Sequence, residues 1–277
     1  MRLWRRFLVL VGGATVAWGA AAAELPLVDA HIHYSHDAWA RTPPAEAVAI
    51  LRKAGLRRAL VSSSNDDGNQ MLLQAAPDLI WPSLRPYRTR ADASSWVRDG
   101  AIIDYLEARL SRHRYVAIGE FHVYGADADL PVVRRMVELA RQHDLVLHAH
   151  GDVDAIDRLF AQWPQARILW AHSGFDRPER LGEMLRRHPR LWADLAFRSE
   201  HGGGGKVPAE WRELFTAFPD RFMVGTDTFT PERWYYVAEH AAWTRGWLAD
   251  LPAELAERIA FRNAEALFGH FDPAKAP

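Results

Sequence analysis

Eight short apolar runs recur along this chain, and their spacing constrains the fold more than any other feature of the sequence. Each run is followed by a polar patch and then by a stretch of helical periodicity. The runs begin roughly 20 to 36 residues apart, which is the length of one strand–helix unit. They are Leu27–His31, Arg58–Ser62, Leu79–Leu84, Tyr115–Glu120, Leu145–His148, Arg167–Ala171, Leu191–Leu195 and Phe222–Thr226. Eight β–α units in 277 residues predict an α/β protein with one closed (β/α)8 barrel, and an open doubly wound sheet is the alternative.

The first 23 residues predict a secretory signal peptide that precedes the barrel. Arg2, Arg5 and Arg6 come before an apolar run, and Ala21-Ala22-Ala23 supplies the small residues that signal peptidase prefers. We expect cleavage near Ala23 and a periplasmic or secreted protein whose single domain spans residues 24–277. An uncleaved membrane anchor is the alternative, but the apolar stretch is shorter than the ~20 residues that a bilayer span requires. We therefore expect no stable membrane anchor after cleavage.

Charge and cysteine content narrow the classes of function. The whole chain has a formal net charge of −1, and loss of the three arginines of the leader leaves 31 basic and 35 acidic residues, a charge of −4. A surface of this balance is not typical of a protein that binds nucleic acid. The chain has no cysteine, which excludes disulfides, thiolate nucleophiles and cysteine-ligated metals. Any metal must therefore be bound by carboxylates and by some of the 13 histidines.

Five of the apolar runs lead into histidine or acidic side chains at their C-terminal ends, the end of a barrel where active sites lie. His31 and His33 are two residues apart on a strand, so both side chains point to the same side. Glu120 follows four apolar residues, where a carboxylate is costly unless it is paired or bound to metal. The other residues at this rim are His122, His148, His150, His172 and Asp227. Together they predict a site for Zn²⁺ or another borderline divalent ion.

The same residues carry a family resemblance. The motifs VDAHIH, AIGEFH, LVLHAH, LWAHSGF and FMVGTDT, in this order, resemble those of amidohydrolase family 2, a branch of the amidohydrolase superfamily that also contains decarboxylases. The stretch Leu255–Gly269 is similar to the closing helix of that branch. The resemblance spans essentially the whole mature chain. It implies a metal-dependent hydrolase with the TIM-barrel fold.

The resemblance also implies a set of metal ligands, for one or two ions per chain. His31, His33 and Asp227 would bind the first ion. His148 and His172 would bind a second ion, or His148 would complete a site for a single ion. Glu120 stands where other members carry a carbamylated lysine, and its carboxylate would bridge two ions directly.

The chemistry of such a site predicts roles for two carboxylates. A bound divalent ion lowers the pKa of a water ligand towards ~7 and polarises the carbonyl that is attacked. Asp227 is predicted to take the proton of this water and pass it to the leaving group. Glu120 is the rival for this role, and a helix cap before Pro231 is the alternative interpretation of Asp227. The predicted function is an exported hydrolase in which metal-activated water attacks a C–N, C–O or lactone bond.

Two alternatives to a hydrolase remain open, and a third, a nuclease, is rejected. A metal-dependent, non-oxidative decarboxylase on the same barrel is the first. A periplasmic barrel that binds a metal or ligand without turnover is the second, and Asp227 argues against it because storage needs no proton-transfer group. A TatD-like nuclease shares the glutamate of the fourth strand, but a mature charge of −4 provides no broad phosphate-binding surface.

Five further residues are candidates for contact with a small-molecule substrate. Arg85 and Tyr87 share one face after the third run and could hold a carboxylate, or Arg85 could form a salt bridge within its loop. Arg198 could bind an anionic group or pair with Asp194. His122 and His150 could donate hydrogen bonds or shuttle protons.

The sequence leaves two points open: the role of one glycine-rich segment and the oligomeric state. The glycine-rich segment 201–206 could form a lid over the site or a plain connection. Pairing of barrels through their outer helices would give a homo-oligomer.

Overall fold

The computed structural model describes residues 24–272, and over this range the chain forms eight parallel strands. The predicted signal peptide, residues 1–23, lies outside the described residues. Within the described range, no helix combines the length and apolarity that crossing a membrane requires. The strands are β1 (Leu27–His33), β2 (Leu56–Ser62), β3 (Ile80–Leu84), β4 (Ala117–Val123), β5 (Val146–Gly151), β6 (Ile168–Trp170), β7 (Leu191–Asp194) and β8 (Phe222–Met223).

The strands follow one another in the order β1 to β8, and the sheet curves until its two edges meet. Beyond β8, the Val224 carbonyl accepts the N–H of Ala30 at 2.9 Å, and the Asp227 N–H donates to the His31 carbonyl at 2.7 Å. Gly225 permits this approach, since a Cβ there would lie 2.9 Å from the Cβ atoms of His31 and Ala196. The nearly closed ring confirms the predicted barrel. It excludes the doubly wound sheet, in which the strand order reverses.

Helices alternate with the strands and cover the outside of the ring. Pro44, Pro131 and Pro178 each stand in the first turn of a helix, where the missing N–H breaks no hydrogen bond. The helices of the described chain are α1 (His36–Trp39), α2 (Pro44–Lys53), α3 (Asp67–Ala75), α4 (Ala101–Leu110), α5 (Pro131–Gln142), α6 (Val153–Gln162), α7 (Pro178–Arg187), α8 (Ala209–Ala217), α9 (Val237–Leu248), α10 (Ala253–Glu257) and α11 (Asn263–Phe268).

Several strands continue beyond the apolar runs that predict them. β1 extends to His33, β4 to Val123 and β5 to Gly151. The apolar pattern ends earlier because the last inward positions of these strands carry polar side chains. The end of the hydrophobic signal therefore marks the boundary between the barrel core and the mouth.

The N-terminal end of the barrel is filled with apolar side chains. Ala264, Leu267 and Phe268 of α11 pack against a buried cluster within the ring, formed by Val28, Leu60, Trp81, Val116, Val146, Leu169 and Met223 among others. Asn263 donates from Nδ2 to the carbonyls of Phe222 at 2.9 Å and Pro219 at 3.0 Å. The stretch that resembles a closing helix is thus α10, a π-helical turn (Arg258–Arg262) and α11. The polar side chains of the candidate site lie at the opposite, C-terminal end of the barrel.

Candidate metal centre

A cavity of about 340 Å³ opens at the C-terminal ends of the strands. Its wall is formed by predicted site residues and by residues of the flanking loops. It is lined by His33, Ser35, Ser64, Arg85, Tyr87, Arg90, Ala93, Glu120, His122, His150, His172, Phe175, Phe197, Asp227 and Phe229. The barrel thus brings polar groups from strands that are far apart in sequence into one pocket.

His31 and His33 point two imidazole nitrogens at one another at the base of this cavity. Their Nε2 atoms are 3.1 Å apart. Nδ1 of His31 lies 3.2 Å from Asp194 Oδ2, and since an ionised carboxylate only accepts, Nδ1 carries a proton and Nε2 is the nitrogen that can bind a metal once it is deprotonated. Nδ1 of His33 is similarly engaged, 2.7 Å from Ser62 Oγ. Two ligand atoms of a tetrahedral ion with bonds of ~2.0–2.1 Å are about 3.3 Å apart, so this pair fits a single ion.

Asp227 supplies the third side chain of this group, as the resemblance implies. Its Oδ1 lies 3.3 Å from His33 Nε2 and 3.9 Å from His31 Nε2. The residue has a left-handed backbone, φ 58°, which is unfavourable for a side chain with a Cβ. Oδ1 is buried and has no well-directed hydrogen bond from any described residue. An unsatisfied buried carboxylate oxygen is costly, and a bound cation would satisfy it.

Glu120 lies between two sets of histidines and turns one carboxylate oxygen towards each. Oε2 is 3.3 Å from His33 Nε2 and 3.8 Å from His31 Nε2. Oε1 is 2.8 Å from His150 Nδ1 and 3.4 Å from His172 Nε2. Arg85 donates from Nη2 to Oε2 at 2.8 Å and from Nε to the Glu120 carbonyl at 2.9 Å, which fixes the carboxylate. Glu120 therefore stands between the two sets of histidines, and Arg85 restrains it there.

The second set of ligand atoms is Glu120, His150 and His172. His172 stands in a left-handed turn after β6, with φ 54°, and its Nδ1 lies 2.9 Å from the Ala196 carbonyl. Because the carbonyl can only accept, the proton is on Nδ1, and Nε2, which faces Glu120 Oε1 at 3.4 Å, is the nitrogen that can bind a metal. The sequence assigns His148 to this set, whereas the structure places His150 there.

His148 lies instead against Asp194, a residue that sequence reasoning considers only as a partner for Arg198. Asp194 is fully buried, and its Oδ2 is 3.0 Å from His148 Nε2 and 3.2 Å from His31 Nδ1. Its Oδ1 accepts the backbone N–H groups of His172 at 2.9 Å and Ala196 at 3.1 Å. One carboxylate therefore positions residues from β1, β5 and the turn after β6. The available signal is an acid in the otherwise apolar run Leu191–Leu195.

The ionised carboxylates of the site are paired with a protonated His31, whose Nε2 must lose its proton when a metal binds. Burial raises the pKa of Glu120, but His31 and the hydrogen bonds from His150 and His172 outweigh burial and hold it well below its ordinary value. Burial likewise lowers the pKa of His31, while the charges of Asp194 and Glu120 raise it well above 6.5. Burial and the charge of His31 lower the pKa of His148 to about 4. Near neutral pH the carboxylates are ionised and His148 is a neutral imidazole.

The structure separates the predicted substrate contacts. Four of them line the cavity: Arg85, Tyr87, His122 and His150. The Tyr87 hydroxyl accepts the backbone N–H of His122 at 2.8 Å. Arg198 does not line it. Its guanidinium donates to the carbonyls of His172 at 3.1 Å and Asp176 at 2.8 Å, and to the Glu200 carboxylate at 2.7 Å. The guanidinium is thus engaged in fixing loops, and it does not pair with Asp194.

The glycine-rich segment 201–206 also lies away from the cavity lining. His201 is buried among the rings of Trp211, Trp243 and Trp247, at centroid distances of 5.8, 5.5 and 4.9 Å. The start of the segment is therefore anchored on α8 and α9.

The chain matches a known protein family over nearly all of its described residues. The sequence model of amidohydrolase family 2, described as amidohydrolase, matches residues 28–270. The chain belongs to amidohydrolase family 2. As a hydrolase of this family, it carries buried His/Asp/Glu clusters suited to a divalent metal within the range of the match. No curated protein matches the sequence significantly.

Solved structures show the same barrel at low identity to this amidohydrolase. An uncharacterized TIM-barrel protein from Bordetella bronchiseptica is 15% identical, with a TM-score of 0.56 over 88% of this chain and 99% of its own. A probable 2-pyrone-4,6-dicarboxylic acid hydrolase from Acinetobacter baumannii, with citric acid bound, is 12% identical, with a TM-score of 0.53 over 88% and 99%. A TatD family hydrolase from Entamoeba histolytica is 9% identical, with a TM-score of 0.56 over 87% and 99%. These likenesses concern the fold alone.

Proposed function

We propose that this amidohydrolase cleaves a C–N, C–O or lactone bond of a small molecule, with two divalent ions bound by the histidines and carboxylates of the barrel mouth. The observation that carries the proposal is the position of Glu120, whose two oxygens face separate histidine sets. His31, His33 and Asp227 would hold one ion, and His150 and His172 the other. We propose Zn²⁺ because neutral imidazole and carboxylate ligands suit it.

A divalent ion at this site supplies a Lewis acid and makes a water molecule acidic enough to lose a proton near neutral pH. Asp227 would accept that proton with the carboxylate oxygen that does not bind the ion, because its side chain lines the cavity. As the substrate bond breaks, Asp227 passes the proton to the leaving nitrogen or oxygen. Arg85 holds the Glu120 carboxylate in place throughout.

We propose hydrolysis rather than decarboxylation because the two arginines predicted to hold a substrate carboxylate already donate hydrogen bonds within the protein. A decarboxylase is expected to hold the substrate carboxylate with a cation, and the sequence provides Arg85 and Arg198 as candidates. Arg85 already donates from Nε and Nη2 to Glu120, and Arg198 is engaged by loop carbonyls and Glu200 away from the cavity. We keep export to the periplasm or medium as part of the proposal on the basis of the predicted leader. We propose a small molecule, and not a nucleic acid, as the binding partner.

Asp227→Asn tests the mechanism. The amide keeps the size of the side chain but cannot accept the proton, so we expect kcat to fall by at least about 100-fold on any substrate turned over by the wild type. Substrates come from a panel of esters, lactones, amides and aromatic carboxylates, and metal content is measured in the same preparations. We expect two ions per wild-type chain and at least one ion in the variant. Asp220→Asn, at a side chain that is 62% exposed, is the matched control.

Three results would contradict the proposal. Unchanged turnover in Asp227→Asn would remove its proton-transfer role. One ion per chain with release of carbon dioxide would favour the decarboxylase. Metal binding without turnover of any member of the panel would favour a non-catalytic barrel.

A further inference from the structure

The cavity has two chemically different halves. Phe175, Phe197 and Phe229 follow β6, β7 and β8, which are neighbours in the ring, and we call these three residues the phenylalanine wall. Ser35, Ser64 and the pair Arg85 and Tyr87 follow β1, β2 and β3 and line the cavity from the other side. A molecule in the cavity therefore meets aromatic rings on one side and hydrogen-bonding groups on the other.

The phenylalanine wall is exposed in a way that packing does not explain. Phe175, Phe197 and Phe229 keep 50%, 49% and 40% of their surface accessible. Their rings contact one another edge to face, with centroids 6.4 Å apart for Phe175 and Phe197 and 5.5 Å for Phe197 and Phe229. Contiguous exposed apolar surface inside a pocket is typical of a ligand-binding surface.

Two members of the wall also have unfavourable backbones. Phe175 has φ 54° and Phe197 has φ 56°, left-handed values that aromatic side chains rarely adopt. Such conformations persist where surrounding contacts impose them, and they concentrate at ligand-binding and active sites. Here they direct two large rings into the mouth of the barrel.

Arg233 fixes the wall to the metal centre. Its guanidinium lies over the rings of Phe197 and Phe229, 4.8 and 5.3 Å from their centroids. The same guanidinium donates to the carbonyls of Asp227 and, at 2.7 Å, Thr226. On the other flank, the Phe175 ring stacks on the His172 imidazole with centroids 4.7 Å apart. The wall thus begins directly beside the groups that would hold the ions.

The facing half determines which way a substrate lies. Ser35, Ser64, Arg85 and Tyr87 give this half hydroxyl and guanidinium groups, which suit the oxygen atoms of a substrate better than an apolar ring. The favourable orientation puts the ring of a substrate on the phenylalanine wall and its oxygen atoms on the Ser64 side.

We propose that the substrate carries an aromatic ring next to the bond that is hydrolysed, and that the phenylalanine wall selects for this ring. The inference rests on the proposed hydrolysis at the metal centre, which it deepens by assigning a substrate class: aryl or benzo-fused esters, lactones or amides. Edge-to-face and stacked contacts add to the affinity that the buried apolar area provides.

Binding of two phosphonates tests the wall without turnover. Phenylphosphonate and methylphosphonate share the same anionic head and differ in the ring, and neither is hydrolysed. On the metal-loaded full chain, titration calorimetry is expected to show tighter binding of phenylphosphonate by at least about tenfold. In the double variant Phe175→Ala/Phe197→Ala the two dissociation constants are expected to become similar. Tyr235→Ala, at an aromatic residue that is 61% exposed but outside the cavity lining, is expected to keep the preference.

A second pair of compounds separates this inference from the proposed function. 3-Isochromanone is a δ-lactone with a fused benzene ring and, like δ-valerolactone, an alcohol leaving group. The wall predicts a higher kcat/KM for 3-isochromanone than for δ-valerolactone, and a reduced preference in the double variant. Phosphonate preference without hydrolysis of either lactone would refute the hydrolase on lactones and leave the wall intact. Equal binding of both phosphonates by the wild type, or a preference that survives in the double variant, would overturn the wall. If the double variant does not fold, Phe197→Leu, which keeps an apolar side chain without the ring, is expected to reduce the preference.

Discussion

At the scale of single residues, the site depends on a side chain that touches no cavity surface. Asp194 accepts from the backbone of His172 with one oxygen and faces the rings of His31 and His148 with the other. It thereby sets the tautomer of His31 and the orientation of groups from three elements. Partners behind the ligands commonly control metal affinity in this way.

Asp194→Asn is expected to weaken metal binding by about 10- to 100-fold. The side-chain carbonyl can still accept from the two backbone N–H groups, but the amide NH₂ then faces Nδ1 of His31 and Nε2 of His148. Both nitrogens must accept from it, so the proton of His31 moves to Nε2, the atom that a metal needs. Competition with a chromophoric chelator measures the dissociation constant, with Asp220→Asn as the exposed control. An affinity equal to that of the wild type would show that Asp194 does not set the tautomer.

At the scale of elements, the loops after β6, β7 and β8 are held in defined shapes by specific contacts. His172, Phe175, Phe197 and Asp227 all have positive φ values. The loop after β7 is further anchored by His201, whose Nδ1 is buried without a hydrogen-bond partner in the described chain. Burial lowers the pKa of His201 to about 3.

His201 is expected to make the protein less stable in acid. The unfolded chain binds a proton at this imidazole near pH 6.5, whereas the folded chain binds it only near pH 3, so folding stability is lost as pH falls below 6.5. Between pH 7 and pH 5 this one group costs about 2 kcal/mol of unfolding free energy. His201→Phe keeps an aromatic ring among the tryptophans and removes the titration. Urea unfolding at both pH values should show a smaller loss in the variant, and an equal loss in both proteins would contradict the assignment.

At the scale of the whole molecule, the two ends of the barrel are specialised for stability and for chemistry. α11 inserts Leu267 and Phe268 into the N-terminal end, where Phe268 is fully buried with its ring centroid 5.7 Å from that of Trp81. The C-terminal end holds the acids, the histidines and the cavity. Division of this kind lets the mouth retain unsatisfied and strained groups, because the closed end supplies the apolar burial.

Phe268→Ala is expected to destabilise the fold by about 3–5 kcal/mol, because it removes buried apolar surface and leaves a cavity where α11 closes the N-terminal end of the barrel. Phe268→Leu, which keeps most of the volume, is expected to lose markedly less. Urea unfolding followed by tryptophan fluorescence measures both. Metal affinity of the folded variants is expected to match the wild type, because α11 and the metal centre lie at opposite ends of the barrel. A matched loss of stability in the two variants would argue against close packing of α11.

The sequence by itself determined the barrel, the family and which strand ends carry the polar residues. Apolar runs with a fixed repeat report burial along each strand, and a His-x-His pair reports a shared side, because both depend on local periodicity. Only the tertiary structure decided that His150 rather than His148 joins His172, that Asp194 lies behind His31, and that Arg198 turns away from the cavity. These assignments depend on turns with positive φ and on contacts between residues up to 163 positions apart. A periodic pattern along the chain carries no information about such long-range contacts.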